Sequence, residues 1–220
     1  MLTHLPTMLF LLAAAIATPA FAGIQQSDFS GIGHIYVLKS DNWQTATPKA
    51  TVGCLDTNGK FISDKSPFNK CGVFSRLEDF PYTLSTSKGN CTFEDDKQEK
   101  NTDSYYGKTD SAWSCGERVA DIYDQLYTIN GFSYVFLCFG DVACFYDAKH
   151  TPNPHEILPL WQYRWGSQQM GITPGHIQLQ LMWKKIGELP GQSEVSEFLG
   201  PRVQVKEGSQ MPLMGKKARV

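Results

Sequence analysis

The side chains of this 220-residue chain that could do chemistry are few and scattered. Past residue 22 its histidines are His34, His150, His155 and His176. His150 and His155 flank Thr151-Pro152-Asn153-Pro154, with Glu156 adjacent. They lack the i, i+2 strand or i, i+4 helix spacing that aims two imidazoles at one ion, so they read as a solvated loop rather than a metal pair. A Ser–His–Asp triad can assemble from distant positions, but no G-x-S-x-G elbow is present to position a serine. Asp124, Asp141 and Asp147 could supply a carboxylate pair for glycoside hydrolysis. They fall at turns and strand edges, where aspartate is ordinarily a turn former. The reading is therefore a protein without catalytic residues, metal or cofactor.

Aromatic residues carry more weight. Trp43, Trp113, Trp161, Trp165 and Trp183 accompany nine tyrosines. In Trp161-Gln162-Tyr163-Arg164-Trp165 the period of a strand puts Trp161, Tyr163 and Trp165 on one face. Exposed rings of this kind stack on the apolar faces of sugars while polar neighbours take the hydroxyls. Trp161, Tyr163 and Trp165 are the ligand-binding candidates, with core packing as the competing reading of that face.

Six cysteines, Cys54, Cys71, Cys91, Cys115, Cys138 and Cys144, lie past residue 22. An even count in an exported chain implies three disulfides, with fifteen pairings open. Neighbour pairing (54 with 71, 91 with 115, 138 with 144) is preferred, because each bond closes a local hairpin or loop. Bridged cysteines offer no thiolate for nucleophilic work. Asn90-Cys91-Thr92 has the form of a glycosylation sequon at Asn90, with a cysteine at its centre.

The elements that must position these residues read as short strands. Residues 1–22 have the apolar core Met8–Ile16 and the small-x-small end Ala20-Phe21-Ala22 of a secretory signal, too short to span a bilayer. Residues 23–49 form an N-terminal segment holding the first strand, His34–Lys39. Ala50–Leu55 and Lys60–Ile62 flank the turn Asp56-Thr57-Asn58-Gly59, a hairpin signal. Cys71–Phe74, Tyr82–Ser85, Cys91–Phe93 and Ser111–Cys115 follow as short strands, with a turn at Ser87–Asn90. Glu94–Lys108 is charged and reads as a solvated insertion without calcium-loop spacing. Ile122–Tyr146, punctuated by Asn130-Gly131 and Gly140-Asp141, predicts a three-stranded antiparallel meander. His176–Trp183 alternates, with Ile177, Leu179, Leu181 and Trp183 on one side and Gln178 and Gln180 on the other, as in a half-buried strand. Residues 189–220 are polar and Gly/Pro-punctuated, and read as a flexible tail. The pattern predicts an all-β antiparallel sandwich or barrel, stapled by disulfides. A net charge of −2 and a pI near 6.2 give no broad pull toward nucleic acid or anionic lipid.

The run YTLSTSKGNC at Tyr82–Cys91 resembles the F-T-L-S-S-S-K-G-N-C stretch of the C-terminal domain appended to fungal ribonuclease T2 enzymes. Val52-Gly53-Cys54-Leu55 through Gly59-Lys60 is similar to that family's opening G-Y-L…G-x-W hairpin, and Cys71–Phe74 to its C-x-T-F step. Ser114-Cys115-Gly116 matches its second-half cysteine. Ile129–Phe132 and Phe145–Ala148 resemble its N-G-x-L and F-Y-A-D segments. The likeness runs over roughly Ala50 to Lys185, within a domain drawn at residues 50–188. The insertion at Glu94–Lys108, and Cys54 where the family usually has Tyr, depart from it.

The resemblance implies a small extracellular β domain that is not itself catalytic and that associates with the cell wall or tethers substrate. The H-G-L-W-P and E-W-x-K-H-G motifs that carry the acid–base histidines of a ribonuclease T2 enzyme are missing. The expected partner is a cell-wall polysaccharide or an extracellular protein, the latter in an effector-like role. Nucleic acid is not expected, nor a membrane once the signal is removed. A hydrolase is the least favoured alternative.

Overall fold

The structure, a computed structural model, describes residues 29–67, 70–78, 82–140 and 144–189. Residues 1–22, read above as a secretory signal, residues 23–28 and the stretch from residue 190 lie outside the described residues, as does Asp141. Twelve strands form one curled antiparallel sheet, and three disulfides staple it. They are β1 (Ile32–Lys39), β2 (Thr51–Leu55), β3 (Phe61–Ser63), β4 (Phe74–Arg76), β5 (Leu84–Thr86) and β6 (Gly89–Thr92). β7 (Ser114–Gly116), β8 (Phe136–Leu137), β9 (Phe145–Ala148), β10 (Ile157–Leu158), β11 (Trp161–Gln162) and β12 (Ile177–Gly187) complete it. Among the described residues the only helical turns are 3-10 turns at Pro48–Ala50 and Ile122–Asp124.

The sheet is built on the pair β1–β12, in register from Gly33 opposite Lys185 to Lys39 opposite Leu179. The other edge of β1 is shared: its start pairs with β4 through Ile32 and Gly33, its end with β2 through Tyr36 to Leu38. One long strand thus feeds two branches, and the sheet can curl around a core. Ile35, Val37, Leu179, Leu181 and Trp183 point into that core with Phe61, Phe74, Phe93, Trp113 and Tyr146. The alternation read in β12 is observed on this side. On the other side it fails: Gln180 and Met182 are buried too. A second cluster covers them there, including Leu38, Ala46, Phe132 and Phe136. Trp43 stacks on Phe132 within it, at 4.1 Å and 17°.

That second cluster also explains why the expected meander is not formed. Phe136 pairs with Met182 of β12 instead of with a hairpin neighbour, and Phe132 packs edge-on to Phe136 on that face of the sheet. The first predicted strand shrinks to a 3-10 turn capped by Asp121 and a single bridge, Tyr127 opposite Cys138. β8 and β9 lie end to end along one edge of β12: Leu137 faces Leu181, and the next partner position, Gln180, faces Phe145. β8 ends at Leu137 and β9 begins at Phe145, and the Cys138–Cys144 bond ties the chain just past the one to the chain just before the other.

The other two disulfides follow the preferred pairing. Cys54–Cys71 holds the 71–72 segment against the end of β2, where Gly72 N–H donates to the Leu55 carbonyl at 2.7 Å. This is why β4 begins at Phe74 rather than at Cys71. Cys91–Cys115 joins directly opposed residues of β6 and β7. The β2–β3 hairpin has the expected chemistry. Asp56 Oδ1 accepts from the backbone of Asn58 at 2.9 Å and Lys60 at 2.8 Å, while Gly59 takes a φ of +80° that L side chains resist.

Candidate functional site: two braced loops with an aromatic tip

The loop that follows β11 and the charged insertion meet, and polar bonds join them from root to tip. At the root stands Asp147 of β9, fully buried. Its carboxyl accepts from His176 Nδ1, from the Thr173 hydroxyl and from Asn101 Nδ2, the last at 3.2 Å. Asn101 belongs to the insertion, while Thr173 and His176 belong to the segment entering β12, so one carboxyl pins both loops to the sheet. Trp161 lies over the His176 ring at 5.8 Å and 26°, and its Nε1 donates to the Glu99 carbonyl at 3.0 Å. The insertion is tied again by Lys60, whose Nζ donates to Gln98 Oε1 at 2.6 Å; burial pushes that amine below its ordinary value.

Toward the tip, Gln169 ties the loops together. Its Oε1 accepts from Ser104 Oγ at 3.0 Å and Tyr105 N–H at 2.7 Å, and its Nε2 donates to the Arg164 carbonyl at 3.1 Å. Gly166 and Gln169 exchange backbone bonds that close a tight turn. The Tyr106 ring lies against Gly166 so closely that a Cβ there would fall 2.4 Å from it, and a larger residue would push the ring aside. The Tyr106 hydroxyl pairs with Ser167 Oγ at 3.2 Å and accepts from Gln168 N–H at 3.0 Å, and these bonds hold the phenol below its ordinary value. Arg164 grips Asp110 across the loops, and that bond raises the guanidinium above its ordinary value.

Above these braces the apolar groups face solvent. Trp165 is 72 % exposed and Tyr105 55 %; Tyr106, next to Tyr105, and Met170, five residues past Trp165, are exposed as well. The tyrosine rings stand edge to face, 4.9 Å apart at 77°, so they offer one face and one edge rather than a single flat platform. Rigid, solvent-facing aromatics among amides and hydroxyls are what a sugar ring or another flat, hydroxylated ligand can stack on.

The three ring residues read from the sequence are not brought together. Trp161 is completely buried and cannot meet a ligand; the competing core reading of that position holds. β11 ends at Gln162, so the strand period that would align Trp161 with Trp165 stops short. Tyr163 is half-buried and packs edge-on to Phe145 at 5.7 Å. Trp165 alone sits at the tip, and its neighbours there, Tyr105 and Tyr106, come from the stretch read as a solvated insertion. The missed signal was the pairing of inward polar residues with outward tyrosines in Asn101–Tyr106. Asn101 and Ser104 are buried, so the run is anchored rather than loose.

The other candidates are placed as follows. Asp124 is buried, accepting from the Thr92 hydroxyl and from Asp121 N–H. Asn90 sits in β6 with its Nδ2 donating to the Arg118 carbonyl at 2.6 Å, and that nitrogen is the atom a glycan would take. His150 lies 3.3 Å from Glu156 in an exposed loop. His176 stands beside the buried Asp147 carboxyl, but its Nε2 is sealed from solvent, 3.5 Å from the Asp103 carboxylate.

No known protein family, curated protein or solved structure matches the chain.

Proposed function

We propose that this protein is a secreted, non-catalytic β domain of the ribonuclease T2 C-terminal type that binds wall or matrix polysaccharide at its aromatic tip. One observation carries the reading: Trp165, Tyr105 and Tyr106 are held in solvent by two loops that are braced at both ends. Leaving large rings exposed forgoes burial worth about 1.5–3 kcal/mol each, and bracing the loops lowers the entropy cost of binding. The three disulfides fit an oxidising compartment. The sealed Nε2 of His176 supports the non-catalytic reading, since a general base must reach the proton it abstracts.

A second reading has its own observation. Val119, Ile122 and Tyr123 are exposed together around the 3-10 turn, beside a hollow of about 500 Å³ that also involves Arg118 and Phe139. An apolar cluster with a charged rim suits an extracellular protein partner.

Retention on insoluble chitin, β-glucan and cellulose separates the two. Under the first reading the protein is retained by one polymer and Trp165→Ala or Tyr106→Ala releases it, while Tyr123→Ala does not. Retention on none of the three, or retention indifferent to both tip variants, removes the polysaccharide reading.

A further inference from the structure

One face of the β1–β12 pair opens on a cavity of about 420 Å³, within the size range of small-molecule sites. The strand register fixes which side chains reach it. Tyr36 of β1 stands opposite Met182 of β12. Lys184, two residues on from Met182, lies on the same side because side chains alternate along a strand. Trp183, between them, turns its ring into the core on the other face, where it packs on Phe29. Met182 is buried, while Tyr36 and Tyr134 are half-buried, so the hollow has an apolar bottom and two aromatic walls. The walls are held in place. Thr51 Oγ1 donates to the Pro48 carbonyl at 2.7 Å and fixes the 3-10 turn that borders the cavity. Trp183 N–H donates to the Val135 carbonyl at 2.9 Å and ties the Tyr134 segment to β12. Walls formed in advance lower the cost of binding.

The charge of this cavity is one-sided. Of the residues that line it, Lys184 alone is charged. Its ammonium lies 5.8 Å from the centre of the Tyr36 ring, and no carboxylate among the described residues pairs with it. Other hollows of similar size balance or reverse that charge. One sets Glu78 against Arg76, another sets Asp41 against Lys39, and the one around the Ile122–Asp124 turn holds more acid than base. An exposed cation beside an apolar, aromatic-walled hollow suits an anion with a flat apolar body. The body packs on the tyrosine rings and on the polarizable Met182 thioether. One ammonium balances one negative charge, which favours a carboxylate over a doubly charged phosphate.

We propose that this cavity binds a small aromatic carboxylic acid, with its ring against Tyr36, Tyr134 and Met182 and its carboxylate on Lys184. The site shares no residue with the aromatic tip and does not depend on it.

The test follows the Met182 methyl resonance of the full chain, ¹³C-labelled at the methionine methyls and assigned with Met182→Leu. The titrants are cinnamate, cinnamamide and hexanoate. Cinnamate should give a saturable shift, because its ring comes to rest beside that methyl. Cinnamamide has the same shape without the charge and should bind about tenfold more weakly. Hexanoate has the charge without the ring and should also be weaker. Lys184 is exposed, so Lys184→Gln should fold normally and bring cinnamate down to the level of cinnamamide. Lys49→Gln, on the neighbouring 3-10 turn, should leave cinnamate binding as it is. No saturable shift, equal binding of cinnamamide or hexanoate, or equal effects of Lys184→Gln and Lys49→Gln would overturn the site. Trp165→Ala should leave the titration unchanged, which keeps this result separate from polymer retention.

Discussion

Arg164 grips Asp110 with two parallel bonds, Nε to Oδ2 at 2.6 Å and Nη2 to Oδ1 at 3.0 Å. The pair joins the loop that carries the tip to the residues just past the charged insertion, so its value lies in geometry more than in stability. Arg164 is partly exposed, and solvent limits such a pair to about 1 kcal/mol or less. Arg164→Lys keeps the charge but cannot make both bonds. The expected outcome is a small change in unfolding free energy with polymer retention reduced about threefold or more, through lost pre-organisation. Unchanged retention would show that the tip does not need this brace.

Trp161 and Trp165 should behave as opposites. Trp161 is buried on His176, so Trp161→Ala should cost about 3–5 kcal/mol in denaturant unfolding. Trp165 faces solvent, so Trp165→Ala should stay within about 0.5 kcal/mol of the parent. Equal costs would mean that the two rings share one environment, contrary to the structure.

Asp147 is the pin for both loops. Asp147→Asn keeps the side-chain size but gives an amide to neighbours that donate to it, His176 and Asn101. A cost of about 1–3 kcal/mol is expected for the buried groups left unsatisfied. Amide exchange should accelerate in 101–107 and 164–173 while β1 and β12 stay protected. Uniform acceleration would point to global destabilisation instead of release of the loops.

How much of this was readable in the sequence depends on the range of the interaction involved. Local chemistry was legible. Asp56-Thr57-Asn58-Gly59 turns as its residue types require, and Leu179, Leu181 and Trp183 share a face because the strand period puts them there. What failed involved partners far apart in sequence. Gln180 looks solvent-facing until a second apolar cluster, with Leu38, Phe136 and Met182, gathers on that side of the sheet and Gln180 is buried there. Asn101 looks like part of a charged loop until Asp147, 46 residues on, accepts its amide. Trp161 and Trp165 differ because β11 stops after two residues, which no periodicity within the strand can announce.

The Cys138–Cys144 bond has a register role that can be tested directly. β8 and β9 occupy one edge of β12 in sequence, and the bond brings the chain back to that edge after seven residues. Loop-closure entropy assigns about 2 kcal/mol to a bridge over so short a loop. A Cys138→Ser/Cys144→Ser variant should lose about that much and show faster exchange at Phe145–Ala148. A loss confined to 138–144, with Phe145–Ala148 still protected, would mean that Tyr146 and the core hold β9 in place without the bond.

Acid should weaken the insertion through Asp95. Partial burial raises its carboxyl, but the Gln98 amide, the Lys97 backbone N–H and the Arg118 guanidinium outweigh that and hold it below its ordinary value. A carboxyl depressed in the folded state adds stability that is full above the unfolded pKa of about 3.9. That stability is lost as the pH falls through the folded value. Denaturant midpoints measured between about pH 5 and pH 2 should therefore fall more steeply for the parent than for Asp95→Asn. Parallel curves would assign the acid sensitivity to other carboxyls and leave the Gln98 and Arg118 contacts without a measurable role in it.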